Sequence, residues 1–136
     1  MQQNAVATKN LSFLLSYSVF SPYINWENMK SKKEIKIGGY TVQATILAGN
    51  SFSTISLAQY LEMDLPPLQH SAKQTVVTAR GKLLYLEGFV ETAIEIDKLI
   101  KEHCFYVCTE MEYPVTLGGD FFRRHNQMRM TIEMEL

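Results

Sequence analysis

Apolar and polar residues alternate along much of this chain, which is the period of a β-strand. The alternation is clearest in residues 11–20, residues 90–96 and residues 128–136. In each segment the apolar side chains lie mostly on one face and the polar side chains mostly on the other. The last segment carries five apolar residues on one face: Met128, Met130, Ile132, Met134 and Leu136. The pattern predicts strands that each have one face to bury.

Turn signals join several of these strands into hairpins. Gly38 and Gly39 separate two alternating runs, residues 34–37 and 40–46, and a Gly-Gly pair tolerates the positive φ of a tight hairpin turn. Residues 75–86 form a second hairpin candidate with Gly81 near its tip. Residues 104–108 add another short strand.

Two short helices are also predicted. Ser56 and Gln59 have the spacing of a capping box, which predicts a helix that ends near Met63. After a strand over residues 114–117, a glycine turn leads into a second short helix that Asp120 could cap. Many short strands with two short helices favour an all-β barrel or sandwich.

Length and charge narrow the class of protein. A chain of 136 residues is long enough to bury one core, and its net charge of -1 argues against a dedicated nucleic-acid binder. We therefore expect no nucleic-acid partner. The lysine cluster within residues 30–36 is interpreted as solvated surface, and the alternative is a small contribution to a larger nucleic-acid interface.

The sulfur and imidazole residues predict no metal site and no cofactor. Cys104 and Cys108 share one face of a strand at roughly 13 Å, too far apart for a disulfide with each other. Two unpaired thiols favour a reducing, intracellular location, in the cytoplasm or nucleus. The three histidines, His70, His103 and His125, are scattered along the chain and receive no role. The longest apolar segment, residues 11–20, is too short and too rich in serine to span a membrane.

One loop carries the most specific motif in the chain. An apolar strand runs through Ile46 and Leu47 into Ala48, Gly49 and Asn50, and a small polar run and a helix follow. This frame resembles the active-site loop of retropepsins, the aspartic proteases of retroviruses and gypsy-like retrotransposons. In the family an aspartate stands where this chain has Leu47, and Thr or Ser stands where it has Ala48. The resemblance thus retains the frame of the loop and lacks its catalytic residue.

Three further segments fall in the order that the family has. Residues 55–63 match the segment after the catalytic loop, and residues 115–122 are similar to a family signature in which an aspartate, here Asp120, is structural. The flap hairpin of the family, which covers the bound peptide, has its counterpart in Thr78, Ala79, Arg80, Gly81, Lys82 and Leu83. The resemblance implies a closed, all-β acid-protease barrel over residues 34–136. Residues 1–33 are then an N-terminal extension that contributes an extra strand and a linker.

By resemblance, the domain forms a homodimer whose terminal strands interleave in a shared sheet. An amphipathic terminal strand suits that role, because an unpaired apolar edge favours pairing. The alternative is a strand that closes its own barrel. The predicted dimer-interface residues are Leu47, Met128, Met130, Ile132, Met134 and Leu136.

These features predict a catalytically inactive domain that acts as a homodimeric scaffold for protein–protein interaction, descended from a retrotransposon. Aspartic protease chemistry needs two carboxylates that share a proton, and Leu47 supplies none. Two alternatives stay open. One is a protease that uses another residue, with Asp64, Asp97 and Asp120 as the candidates. The other is a pseudoprotease whose flap hairpin holds an extended peptide by strand addition.

Overall fold

The computed structural model describes residues 11–16, 30–78, 80–125 and 129–134. The predictions for Tyr17–Phe20, Ala79, Met128 and Leu136 lie outside the described residues. Eleven elements are present in the described part: β1 (Leu11–Ser16), β2 (Ser31–Ile37), β3 (Tyr40–Ile46), β4 (Thr54–Ser56), α1 (Leu57–Glu62), β5 (Thr75–Val77), β6 (Leu83–Ile96), β7 (Leu99–Cys108), β8 (Val115–Leu117), α2 (Gly119–Arg124) and β9 (Arg129–Met134).

Six of the strands close into a barrel. They pair in the order β2-β3-β8-β4-β7-β6, and β6 returns to β2 through the pairs Lys36 with Glu95 and Ile37 with Ile94. Strand β9 adds to the outside of β2, β1 adds to β9, and β5 adds to β6. The predicted all-β closed barrel with two short helices is therefore confirmed.

The β2–β3 hairpin forms as the sequence predicted, with Gly38 at φ 55° and Gly39 at φ 91°. Ile35 pairs with Val42 in the register that these two residues set. Strand β2 begins at Ser31, three residues before the expected domain start at residue 34.

Strand β6 is longer than expected. The sequence predicted a hairpin arm that ended near Leu86 and a separate strand from Val90, but β6 runs through both as one strand with a bulge between Leu86 and Gly88. At the bulge, a Cβ on Gly88 would lie 2.7 Å from the carbonyl oxygen of Gln69. Because Gly88 has no side chain, the main chains of Gln69 and Phe89 can approach and exchange two hydrogen bonds, with N to O distances of 2.8 and 3.0 Å.

The barrel interior is apolar and holds Phe105, Phe121, Ile37 and Ile94 among its most buried side chains. A second, smaller cluster lies under the hairpin formed by β5, its turn and the start of β6 (residues 75–86), which we call the flap hairpin. It consists of Val76, Leu84 and Cys108, with Phe52, Leu86 and Met111 packed against it. The flap hairpin is therefore anchored by apolar contact along its inner face.

The two helices begin in different ways. Ser56 caps α1 as predicted, because its hydroxyl accepts the Gln59 amide at 3.1 Å. The prediction that Asp120 caps α2 is wrong. The cap residue is Gly118, and the Asp120 carboxylate instead bonds to Ser53, which lies 67 residues earlier.

Strand β9 pairs with β1 along its whole length, from Arg129 opposite Ser16 to Met134 opposite Leu11. It also pairs with β2 at Ser31 and Lys32. Within one chain the terminal strand therefore extends the sheet of its own barrel, and the predicted exchange with a second chain stays a prediction. Among the described residues, neither helix has the length and apolarity that crossing a bilayer requires.

Candidate functional site

The loop between β3 and β4 (residues 47–53) leaves the barrel beside a parallel strand. Strands β3 and β8 run parallel, with Ile46 opposite Leu117. The Leu47 N–H donates to the Leu117 carbonyl at 3.0 Å, and the Asn50 N–H donates to the Leu47 carbonyl at 2.9 Å. These bonds fix the backbone at Leu47 and turn the chain directly after it.

Two glycines let this loop lie on the junction of β8 and α2. A Cβ on Gly118 would lie 2.5 Å from the Phe52 carbonyl oxygen, and a Cβ on Gly119 would lie 2.8 Å from the Ala48 carbonyl oxygen. The Gly119 N–H also donates to the Asn50 carbonyl at 2.7 Å. Any side chain at either glycine would push the loop away from the junction.

Ser53 and Asp120 join the far end of the loop to α2. The Ser53 hydroxyl donates to Asp120 Oδ1 at 2.8 Å, and the Ser53 N–H donates to Oδ2 at 3.1 Å. The Gly118 N–H donates to the same hydroxyl oxygen at 3.1 Å. One buried serine therefore ties three segments together, and the structural role that the resemblance implied for Asp120 has a physical basis in these bonds.

His103 completes this network from β7. Its Nε2 lies 3.2 Å from both Asp120 Oδ2 and the Ser53 hydroxyl, and its Nδ1 lies 3.3 Å from His125 Nε2. The tautomer with the proton on Nε2 satisfies all of these contacts, since Nδ1 then accepts from His125. The sequence analysis gave neither histidine a role. The inward position of His103 on a strand of alternating pattern was the available signal.

The Ser53, His103 and Asp120 set does not have the arrangement of a nucleophilic triad. In a triad the two imidazole nitrogens bond separately to the serine and the acid. Here one nitrogen, Nε2, faces both groups, and Ser53 is completely buried. A substrate carbonyl has no access to this hydroxyl, so the geometry is that of a structural network.

The environment lowers the pKa values of two groups in this network, Asp120 and His125. Burial alone would raise the pKa of Asp120, but the hydrogen bonds from His103 and Ser53 outweigh it and hold that pKa below its usual value. Burial is the main cause that lowers the pKa of His125 to about 4, and the neighbouring His103 and Arg124 act in the same direction. Asp120 is thus an anion at neutral pH, and His125 is neutral.

The two cysteines are unpaired, as the sequence predicted. Burial raises the pKa of the Cys104 thiol and raises the pKa of Cys108 to about 11. Both are protonated at neutral pH and are weak nucleophiles. Within the described ranges, no group of histidine, cysteine and acidic side chains has the arrangement of a metal site.

A cavity of about 200 Å³ opens between Leu47 and the flap hairpin. Of the predicted site residues, Leu47, Asn50, Thr78, Arg80 and Lys82 line it. Leu83, Ala48 and Gly49 are not among the lining residues. The full lining consists of Lys30, Leu47, Asn50, Thr78, Arg80, Lys82, Leu84, Met111, Glu112, Tyr113 and Thr116. The hydroxyl of Thr116 is buried and has no hydrogen-bond partner within the described part of the chain.

The aspartates considered as alternative catalysts lie away from this cavity. Asp97, in the turn between β6 and β7, forms an ion pair with Lys33 Nζ at 2.6 Å. Asp120 belongs to the network with Ser53 and His103, and Asp64 is exposed after α1. None of the three lines the cavity, and among its lining residues the one carboxylate belongs to Glu112.

Asp120→Asn is expected to lower the free energy of unfolding by about 2–4 kcal/mol, because it removes a charged acceptor and leaves buried donors on Ser53 and His103 poorly paired. Urea unfolding at pH 7 measures the loss. The matched control, Asp64→Asn at an exposed site, should change stability by less than about 0.5 kcal/mol. Equal effects of the two variants would contradict the structural role of the network.

The free energy of unfolding is expected to rise as the pH increases from about 4 to about 6.5. In this window the unfolded chain, with an ordinary histidine pKa, binds a proton that His125 in the folded chain does not. The ionised Asp120 carboxylate stabilises the folded chain, and this contribution is lost at lower pH, as the pH falls through the depressed pKa of that carboxyl group. His125→Gln should flatten the first slope, while His70→Gln, at an exposed histidine, should retain it. An unchanged slope in His125→Gln would contradict the assignment.

Comparison with known proteins gives matches at the level of structure. No family model and no curated protein matches the sequence. The retroviral protease-like domain of Ddi1 from Leishmania major superposes with a TM-score of 0.55 at 17% identity, over 73% of this chain and 77% of that one. A retropepsin-like aspartic protease from Rickettsia conorii superposes with a TM-score of 0.51 at 13% identity, over 98% of this chain and 97% of that one.

At this level of identity the likeness shows the fold and leaves the chemistry open. Both structures have the architecture that the motifs of this chain had suggested. The closed six-stranded barrel, the two glycines under the β3–β4 loop and the structural neighbours agree: this chain has a retropepsin-like fold.

Proposed function

We propose that this chain is a catalytically inactive retropepsin-like domain, of retrotransposon descent, that works as a homodimer and binds other proteins. The observation that carries the proposal is Leu47, in the position that the resemblance assigns to the catalytic aspartate and in the wall of the cavity. The unpaired thiols of Cys104 and Cys108 fit a reducing, intracellular setting.

The loss of catalysis follows from what aspartic protease chemistry requires. Two carboxylates must lie close enough to share one proton, so that one activates water while the other protonates the substrate. In a symmetric dimer the Leu47 substitution occurs twice. Glu112, the one carboxylate residue among the lining residues, lies between β7 and β8 and does not take the position of Leu47.

The same substitution favours association of two chains. Two ionised aspartates at a dimer axis repel each other, whereas two leucines there would each contribute roughly 1.5–3 kcal/mol if fully covered. Ala48 acts in the opposite direction, because a hydroxyl at its position would add hydrogen bonds worth about 1 kcal/mol each. The apolar contact between the two leucines is the larger of these two effects on dimer stability.

Unpaired strand edges provide a second reason to expect a dimer. Strand β1 ends the sheet, and its outer edge has no partner strand within the described ranges. Strand β9 meets β2 at Glu133 and Met134, while its remaining residues have no partner on that side in the described structure. Such edges favour pairing with a second strand, which a second copy of the chain can supply.

The proposed inactivity predicts that the chain does not cleave an unfolded polypeptide such as reduced casein at any pH from about 4 to about 7. Leu47 leaves the cavity without the carboxylate pair that would activate water. Mass spectrometry of the substrate after prolonged incubation is the measurement. Cleavage that disappears in Glu112→Gln would assign the chemistry to that residue and contradict the proposal.

The proposed dimer predicts a solution mass of twice 15.6 kDa over a dilution series, measured by light scattering. Leu47→Asp should weaken the dimer by at least about tenfold at pH 7, because two carboxylates then repel, and lowering the pH to about 4 should restore part of the affinity. Leu61→Asp, on the exposed face of α1, is the matched control and should leave the mass unchanged. A monomer at every concentration, or a Leu47→Asp dimer as tight as the wild type at pH 7, would contradict the proposal.

A further inference from the structure

The flap hairpin places two cations beside the cavity, and this arrangement points to the kind of ligand that the cavity accepts. Arg80 and Lys82 both line it and are both exposed. Neither forms an ion pair within the described part of the chain. Lys30 lines the same cavity, with its Nζ 4.9 Å from the centroid of the Tyr113 ring.

Hydrogen bonds between Thr78, Gly81 and Lys82 define the backbone at the tip of the flap hairpin, from which the two cations extend. The Thr78 N–H donates to the Lys82 carbonyl at 2.9 Å, and the Lys82 N–H donates to the Thr78 hydroxyl at 3.1 Å. The Gly81 N–H donates to the Thr78 carbonyl at 2.9 Å. Below the turn, Val76 and Leu84 pack on Cys108. The backbone that carries the positive rim is therefore already in place when a ligand arrives.

The charge of this rim differs from that of the whole protein. Three cationic residues and one acidic residue, Glu112, line the cavity, whereas the chain carries a net charge of -1. The local excess of positive charge is thus a property of this surface. It attracts anionic ligands and disfavours cationic ones.

The cavity is apolar in part and also contains the buried hydroxyl of Thr116. Leu47, Leu84 and Met111 contribute to its wall, and its volume of about 200 Å³ is below the roughly 300–1,000 Å³ of pockets that hold drug-sized ligands. It has room for one or two amino-acid side chains. A partly apolar wall with a cationic rim matches a ligand that carries an apolar group between anionic groups.

A polypeptide is the ligand that supplies both features at this spacing. Strand β5 ends the sheet on the flap side and has no partner on its outer edge within the described ranges. Thr78, which lines the cavity, follows β5 directly. An extended peptide can bind to such an edge with its main chain while one side chain enters the adjacent cavity.

We propose that this cavity binds an extended acidic peptide, with an apolar side chain against the apolar part of its wall and flanking aspartate or glutamate side chains against Arg80 and Lys82. The inference rests on the proposed function, because it assumes that the cleft binds peptides without cleaving them. It goes further by naming the charge class of the partner.

Three fluorescently labelled heptapeptides test the inference. Each has a central leucine between two identical arms, and the arms are Glu-Thr-Glu, Gln-Thr-Gln or Lys-Thr-Lys. Measured by anisotropy at low salt, the Glu peptide should bind about tenfold more tightly than the Gln peptide, and the Lys peptide should bind most weakly. Added salt should reduce the preference, since the flap cations are exposed.

Two double variants that reverse charge test whether Arg80 and Lys82 cause the preference for the Glu peptide. The double variant Arg80→Glu with Lys82→Glu should lose the preference for the Glu peptide and gain affinity for the Lys peptide. The matched control, Lys36→Glu with Lys101→Glu, changes the net charge equally at exposed positions outside the cavity and should retain the wild-type order. A preference that survives in the flap variant, or disappears in the control, would overturn the inference.

Further outcomes separate this inference from the proposed function. Equal affinity for all three peptides, with no cleavage, would overturn the acidic preference and leave the inactive cleft standing. Cleavage of a bound Glu peptide, seen by mass spectrometry after the titration, would overturn inactivity and leave the preference standing. Binding of an oligonucleotide of the same charge as tightly as the Glu peptide would assign the rim to nucleic acid and overturn the peptide proposal.

Discussion

The hydrogen bonds between Ser53 and Asp120 are the constraint on which this site depends. They connect the end of the β3–β4 loop to α2, and the Gly118 N–H joins them from the end of β8. Three segments that are distant in the sequence therefore share one buried hydroxyl. The pair is stable because His103 supplies a third hydrogen bond to the carboxylate, and so this half-buried acid stays ionised. Without these contacts, the end of the loop at Ser53 would lose its side-chain anchor to α2.

This arrangement explains how such a fold could persist without its chemistry. The contacts that shape the loop come from backbone groups and from Ser53, Asp120 and His103, all outside the cavity. Catalysis in a retropepsin depends instead on the side chain at the position of Leu47. Replacing that side chain removes a reactive group and leaves the backbone hydrogen bonds of the loop intact. On the proposed function, the scaffold and the chemistry are therefore separable by substitution at very few positions.

Turns and helix caps, which depend on residues close in sequence, could be predicted. Hydrogen bonds between residues far apart in sequence could not. The Gly38-Gly39 hairpin and the Ser56 cap follow from local rules of turn geometry and helix capping. The pairing of Ser53 with Asp120 spans 67 residues, and local rules assigned Asp120 to a helix cap instead. His103 had no local signal beyond its inward position on β7. The closed barrel was predicted because a family resemblance supplied the long-range information that periodicity lacks.

The proposed loss of catalysis and the proposed preference for acidic peptides are physically connected. A pair of catalytic carboxylates carries negative charge in the cleft, and this charge would repel an acidic ligand and partly cancel a cationic rim. Two charges about 8 Å apart interact by roughly 2 kcal/mol at an effective dielectric constant of about 20, so such a pair would have a substantial effect. On the proposed function, Leu47 in that position would leave Arg80 and Lys82 to act on the ligand without this opposition. A substitution that ends proteolysis can therefore change which peptides the same cleft attracts, and the flap hairpin then becomes the main source of its selectivity.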